Sequence, residues 1–235
     1  MYIYYLKLYY LKLYKMIKSE IIKLINENSI ISNMMLPTQI YGVLYYLDEI
    51  LKNNIDGDIV ELGCNVGTTS LYIRRLLNTY KNKKQYHVYD SWEGLPEKLD
   101  IDKGEKEIQF YEGNCKTSKE SFEINFFTNN LTLPVIHSGW FKDIPDSEYP
   151  EKISFAFLDG DFYTSIIDSL NKIYKKMVPG GIIIIDDCGW NALPGCKKAV
   201  EDFLEDKPEN LTVDGYPNDK IEFGDMHCGG KIIKI

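Results

Sequence analysis

Asp159-Gly160-Asp161 closes the apolar run Ile153 to Leu158, and Asp186-Asp187 closes the run Gly181 to Ile185. In a parallel sheet the carboxyl ends of neighbouring strands share one edge, where α/β proteins bind their ligands. Four carboxylates gathered there repel one another unless a cation sits among them. With no Cys or His ligand motif beside them, they favour Mg²⁺, Mn²⁺ or Ca²⁺ over zinc. Such an ion acidifies and orients a bound hydroxyl, so the chemistry in prospect is group transfer.

A second feature lies upstream, where the strand Gly57-Asp58-Ile59-Val60-Glu61 runs into Leu62-Gly63-Cys64-Asn65-Val66-Gly67-Thr68-Thr69. The spacing Glu61-x-Gly63-x-x-x-Gly67 departs from the dinucleotide fingerprint GxGxxG, because Asn65 stands where the second glycine belongs. It suits S-adenosylmethionine (SAM) instead: Gly63 and Gly67 let the backbone approach a ligand, and Glu61 can accept bonds from its amino group. The plainer alternative is a tight strand-to-helix turn capped by Thr68 or Thr69. The next strand ends in Tyr89-Asp90-Ser91, about 20 residues beyond the loop, where a carboxylate can receive two ribose hydroxyls. After a further strand, Gly139-Trp140-Phe141-Lys142-Asp143-Ile144-Pro145 offers an aromatic wall and backbone groups to an adenine ring. Three successive strand ends with suitable groups favour the cofactor over the turn.

The elements that must position these groups alternate along the chain. Strands are expected at Asp58 to Leu62, Gln85 to Tyr89, Val135 to Ser138, Ile153 to Leu158 and Ile182 to Ile185. Helices are expected at Thr68 to Tyr80, Ser118 to Phe127, Thr164 to Met177 and Lys197 to Leu204, with Val178-Pro179-Gly180-Gly181 as a turn. Two amphipathic helices, Ile17 to Asn28 and Thr38 to Lys52 with Thr38 as its cap, precede the sheet, and Lys220 to Phe223 and Lys231 to Ile235 are strand candidates at the end. This pattern means βαβ units and a largely parallel, Rossmann-like α/β sheet. We divide the chain into a helical arm with accessory helices, residues 1–56, and a main domain, residues 57–235. The long charged loop Glu93 to Asn114 reads as a lid.

The 235 residues, 44% hydrophobic, fit one such domain with an accessory segment. With 27 basic and 35 acidic side chains the net charge is −8, which argues against a nucleic-acid backbone as partner. Five cysteines without CxxC spacing indicate neither a disulfide framework nor a zinc site, and point to a reducing, cytoplasmic setting. In Met1 to Lys18, the residues Lys7, Lys12, Lys15 and Lys18 fall on one side of a helix. They interrupt the apolar run that a signal peptide or a membrane span needs. The stretch reads as a helix that docks on the domain, on a partner subunit in a homo-oligomer, or on a membrane surface.

Gly139-Trp140-Phe141-Lys142-Asp143, Leu158-Asp159-Gly160-Asp161-Phe162-Tyr163, Asp186-Asp187 and Pro194-Gly195-Cys196-Lys197-Lys198-Ala199-Val200 together resemble the macrocin O-methyltransferase (TylF/MycF-like) family of sugar methyltransferases. The resemblance runs from about Gly57 to the C-terminus. It implies a class I SAM-dependent methyltransferase fold, SAM and Mg²⁺ as cofactors, and a sugar hydroxyl as acceptor. It further implies that Asp159, Asp186 and Asp187 hold the metal, that Asp161 is the general base, and that Asp159 also borders the cofactor. Two departures stand out. The loop Gly63-Cys64-Asn65-Val66-Gly67 replaces a bulkier, arginine-bearing one, and Cys188 takes a place where an aromatic often follows the paired aspartates. A catechol-type O-methyltransferase is the alternative within the chemistry, and a non-catalytic SAM-binding module the alternative outside it. His87 reads as a packed strand residue, His137 as a neighbour of the Gly139 segment, and His227 has no readable role.

Overall fold

The computed structural model describes residues 19–104, 110–214 and 229–235. The N-terminal stretch to Lys18, the strand expected at Lys220 to Phe223, His227 and Cys228 lie outside them. Two helices come first, α1 (Ser19–Glu27) and α2 (Pro37–Lys52). There follow β1 (Asp58–Leu62), α3 (Thr68–Thr79), β2 (Tyr86–Asp90), α4 (Lys119–Thr128), β3 (Val135–Ser138) and β4 (Ile153–Leu158). The chain continues with α5 (Tyr163–Ile173), β5 (Met177–Ile185), α6 (Pro194–Leu204), β6 (Thr212–Asp214) and β7 (Gly229–Ile233). These strands form one seven-stranded sheet in the order β3-β2-β1-β4-β5-β7-β6. It is parallel from β3 through β5, and β7 runs antiparallel between β5 and β6.

The run Ile153 to Leu158 is buried throughout because β4 lies at the centre of the sheet with helices on both faces. Side chains alternate between those faces. Ile59, Phe155, Phe157 and Ile184 pack in one core with Ile40 and Leu44 of α2 and Leu76 of α3. Val60, Ala156, Leu158 and Ile183 pack in another with Ile166 and Leu170 of α5 and Val200 of α6. Each fully buried side chain of this size contributes roughly 1.5–3 kcal/mol. The two N-terminal helices therefore share the core of the sheet. Among the described residues no helix is long and apolar enough to cross a membrane.

The local differences from expectation have local causes. Thr38 does not cap α2: the chain enters through Leu36-Pro37, Thr38 Oγ1 is buried without a hydrogen-bond partner, and Gln39 Oε1 accepts from the Leu36 N–H at 2.8 Å. Neither Thr68 nor Thr69 caps α3, whose N-cap is Gly67 at φ 89° with no side-chain bond. α5 stops at Ile173, a 3-10 turn covers Tyr174–Lys176, and β5 begins at Met177, taking in the Pro-Gly-Gly expected as a turn. The C-terminal strand makes that possible, since the Gly180 N–H donates to Lys234 O and the Lys234 N–H to Gly181 O.

Candidate active site

The carboxyl ends of the parallel strands form a staircase. Beyond the last paired residue of each strand, one more N–H reaches the neighbouring strand: Gly139 to Asp90 O, Gly63 to Tyr89 O, Asp159 to Leu62 O and Asp186 to Leu158 O, at 2.8–2.9 Å. The loops that carry chemistry are thus registered by the ladder itself. Gly63 and Asp159 meet where the strand order reverses, between β1 and β4. A Cβ on Gly63, which sits at φ +90°, would lie 1.9 Å from the Asp159 carbonyl oxygen, so no side chain fits there.

Asp90 holds the glycine loop. Its Oδ2 accepts from the backbone N–H groups of Cys64 and Asn65, both at 2.9 Å, and its Oδ1 accepts from Trp92 N–H at 2.8 Å. Three of about four acceptor positions are filled by backbone. Asn65 extends the arrangement, its Nδ2 donating to Cys115 O at 2.6 Å. Ser91 accepts from the Glu93 N–H, and Trp92 Nε1 donates to Ser138 on β3. Burial pushes the Cys115 thiol up to about 12, with the aspartates adding to the effect, so it stays protonated and no thiolate nucleophile faces the cleft.

The acidic side is different in kind. Burial raises Asp159 well above the ordinary carboxylate range, and repulsion from Asp186, Asp161 and Asp187 raises it further. Burial likewise pushes Asp161 up to about 6; its hydrogen bond with Asp187 pulls it down and Asp186 pushes it up. Asp186 and Asp187 are buried, and both Asp186 oxygens accept from Gln39 Nε2 of α2, at 3.2 and 3.1 Å. The donor set is all oxygen and repels itself, which suits a hard divalent cation. Among the described residues no three His, Cys, Asp or Glu side chains are yet drawn together as metal ligands.

Gly63, Asp90, Ser91, Gly139, Trp140, Phe141, Asp159 and Asp161 all line one cleft, as the sequence expects. Glu61, Gly67 and Thr68 do not. Glu61 shares the face of Ile59, beneath α3, where its carboxylate accepts from Ser70 at 2.6 Å and from Tyr86; burial pushes it up to about 7. Gly67 packs against Phe122, and Thr68 is buried with Oγ1 lacking a partner. Asp186 and Asp187 lie behind the cleft wall rather than on it. Sequence reasoning missed Met34, Cys115 and Ser165, which also line the cleft. No local signal marks them, because each arrives from a loop or helix whose placement is tertiary.

The loop expected as a lid is anchored here. The Leu95 N–H donates to Asn114 O and the Gly113 N–H to Leu95 O, and buried Asp102 accepts from Leu99 and Tyr163 N–H groups. Leu95, Pro96, Trp140, Phe141 and Ser165 line both the cleft, about 80 Å³, and a wider cavity of about 560 Å³ rimmed by charged side chains, so the two adjoin. A pocket for a cofactor-sized ligand spans roughly 300–1,000 Å³, a range that the wider cavity meets and the cleft alone does not. Asn65, Trp92, Cys115, Asp161 and Asp187 all adopt positive φ, between 46° and 63°, around this small space. Such backbone strain costs on the order of 1–3 kcal/mol per residue and concentrates at functional sites.

A family model described as macrocin-O-methyltransferase (TylF) matches residues 33–215. A tetracenomycin 4'-O-methyltransferase of Streptomyces olivaceus, which acts on a dimethoxy-rhamnosyl compound, is 31% identical over 165 residues, covering 68% of this chain and 62% of that protein. Mycinamicin III 3''-O-methyltransferase of Micromonospora griseorubida is 28% identical over 167 residues, covering 68% and 65%. The chain therefore spans less than two thirds of the length of these two relatives. In three dimensions the O-methyltransferase NovP superposes with a TM-score of 0.68 at 23% identity, over 84% of this chain and 79% of that one.

Proposed function

The chain belongs to the macrocin O-methyltransferase family, and from that membership we propose that it transfers the methyl group of SAM to a sugar hydroxyl. The observation that carries the reading is the single cleft on which the Asp90-held glycine loop and the Asp159-Asp161 pair converge. A donor and an acceptor bound there meet at the reacting atoms. Gly63, Asp90, Ser91 and the Gly139-Trp140-Phe141 segment bind SAM. Asp161, raised to about 6, is ionised at neutral pH yet more basic than an ordinary carboxylate. It would take the proton of the acceptor hydroxyl and release it to solvent, while SAM, when bound, would supply the methyl group and leave as S-adenosylhomocysteine (SAH).

Asp159, Asp186 and Asp187 would hold Mg²⁺, which when bound lowers the pKa of the acceptor hydroxyl and relieves the repulsion among the carboxylates. The wide charged mouth favours a polyol over the flat ring of a catechol. Cys64, Cys115, Cys188 and Cys196 are free thiols, in keeping with a reducing, cytoplasmic compartment.

The test is methyl transfer from methyl-labelled SAM to a panel of deoxysugar glycosides, nucleotide sugars and catechols, with SAM and NAD⁺ binding measured by calorimetry. Labelled sugar ethers and SAM binding are expected. Transfer to catechols alone, or NAD⁺ binding without SAM binding, overturns the reading.

A further inference from the structure

One face of α5 carries polar groups that the fold leaves without bonds. Ile166, Leu170 and Ile173 pack into the core with β4 and β5. Thr164, Ser165 and Asp168 stand together on another face, since residues three and four apart are neighbours on a helix surface. All three line the wider cavity of about 560 Å³, and Ser165 lines the cleft as well. Ser165 is 8% exposed, yet its hydroxyl makes no hydrogen bond among the described residues. Thr164 Oγ1 is buried without a partner, and half-buried Asp168 forms no hydrogen bond or ion pair among the described residues. Burial raises Asp168 above the ordinary carboxylate range, with Lys142 pulling it down and Asp143 pushing it up. Polar groups withdrawn from water without partners are destabilising, so three of them on one wall of a cavity call for a ligand that pairs them.

Their order along the wall matters. Ser165 rests against the turn that carries Asp161: a Cβ on Gly160 would lie 2.7 Å from the Ser165 Cβ. Asp168 stands about one helical turn further on, roughly 5.4 Å, which is the scale of a single sugar ring. Asp161 lines the cleft, Ser165 both spaces and Asp168 the cavity, so the three lead outward from the reacting centre. The charge of the cavity is one-sided. Glu93, Glu97, Glu112, Asp143 and Asp168 line it against the single basic side chain of Lys142, a wall that repels phosphate and accepts from hydroxyl donors.

We propose, on the methyl-transfer reading given above, that the wider cavity is the acceptor subsite, that Ser165 and Asp168 bind free hydroxyls of the sugar there, and that the acceptor is an uncharged or amine-bearing glycoside rather than a nucleotide sugar. The Asp168 carboxylate has acceptor positions for two neighbouring hydroxyls. Ser165 can both donate and accept, and it meets the ring beside the hydroxyl that Asp161 deprotonates.

The experiment measures binding of methyl α-L-rhamnopyranoside and of thymidine diphosphate-rhamnose by ligand-observed NMR in saturating SAH, together with SAH affinity by calorimetry and melting temperature. It uses the full chain, Ser165→Ala, Asp168→Asn and Asp168→Lys. Wild type is expected to bind the rhamnoside, and the nucleotide sugar at least about tenfold more weakly. Ser165→Ala and Asp168→Asn should each lose rhamnoside affinity by about tenfold, the scale of one lost hydrogen bond. Both should keep SAH affinity and melt no lower than wild type, because neither side chain has a partner in the fold to lose; a merely structural role would lower the melting temperature instead. Asp168→Lys should shift the preference toward the nucleotide sugar. Folded variants that bind the rhamnoside as wild type does, or a wild type that binds the nucleotide sugar more tightly, overturn the assignment. A wild type that binds SAH but neither sugar also overturns it and leaves SAM binding standing, whereas one that binds no SAH removes the methyl-transfer reading and the subsite with it.

Discussion

The two halves of the strand-end edge solve opposite problems. Around Asp90 every charge is matched: one carboxylate, three backbone N–H donors and a glycine loop set by those bonds. Around Asp159 and Asp186 the same residue type is gathered, and burial and mutual repulsion raise Asp159 well above the ordinary carboxylate range. The backbone completes the first half. In the second half, on the function proposed above, the crowding is what a cation would relieve and what would strengthen Asp161 as a base. Glu61 falls between the two: it accepts from Ser70 and Tyr86, yet burial still raises it.

The contrast can be broken most severely at Asp161. Asp161→Asn should lower turnover by on the order of 10²–10⁴ and leave SAM and Mn²⁺ binding intact, with no rescue by excess Mg²⁺. In the metal-free wild type the Asp161 carboxyl should lose its proton as pH passes about 6, read by carbon-13 NMR of the aspartate carboxyls as a titration that Asp161→Asn lacks. On the matched side, Asp90→Ala removes the acceptor of three half-buried backbone donors. It should cost about 2–4 kcal/mol of stability by denaturant unfolding, and SAM affinity should fall by on the order of tenfold or more. If SAM binds as tightly as before, the loop does not need its carboxylate and the two halves are less different than they look.

Glu61 gives a smaller, pH-dependent effect. Its folded pKa lies above the unfolded value, so the fold binds that proton more tightly, and the stability this contributes at low pH is lost as pH rises through about 7. Glu61→Gln should flatten that decline and stabilise the protein at pH 8 by about 1–3 kcal/mol. Equal slopes in wild type and variant between pH 5 and pH 8 would rule it out. The smallest effect concerns the unmatched half directly. At ten times its Kd, Mg²⁺ should stabilise wild type by about 1.4 kcal/mol and Asp159→Asn by measurably less, read as a shift in melting temperature.

How much of this was legible in the sequence follows from what each feature depends on. β1, β3 and β4 were readable to the residue, because apolar runs bounded by charge and glycine are local signals. The start of β5 was not: Pro179-Gly180-Gly181 has the composition of a turn, and only the distant Lys234 makes it a strand. β6 is three residues long and carries no periodicity to detect. At the site, strand-end position put Asp90, Asp159 and Asp161 on one edge, and all three line one cleft. Position alone could not say that Glu61 would follow Ile59 onto the α3 face. Gln39 was invisible for the same reason as Met34 and Ser165, since its partner is set by how α2 lies on the sheet.

The positive φ angles at Asn65, Trp92, Cys115, Asp161 and Asp187 bear on how this molecule can change over generations. Glycine tolerates that conformation at no steric cost, so at each of these positions a substitution that discards the side chain relaxes the backbone. A selection for heat resistance alone would therefore favour glycine at these positions, Asp161 on the cleft wall and Asp187 behind it among them. Any lineage that keeps side chains at these five positions is under pressure for what they do, and a laboratory campaign to harden the protein should hold them fixed and look for its gains elsewhere.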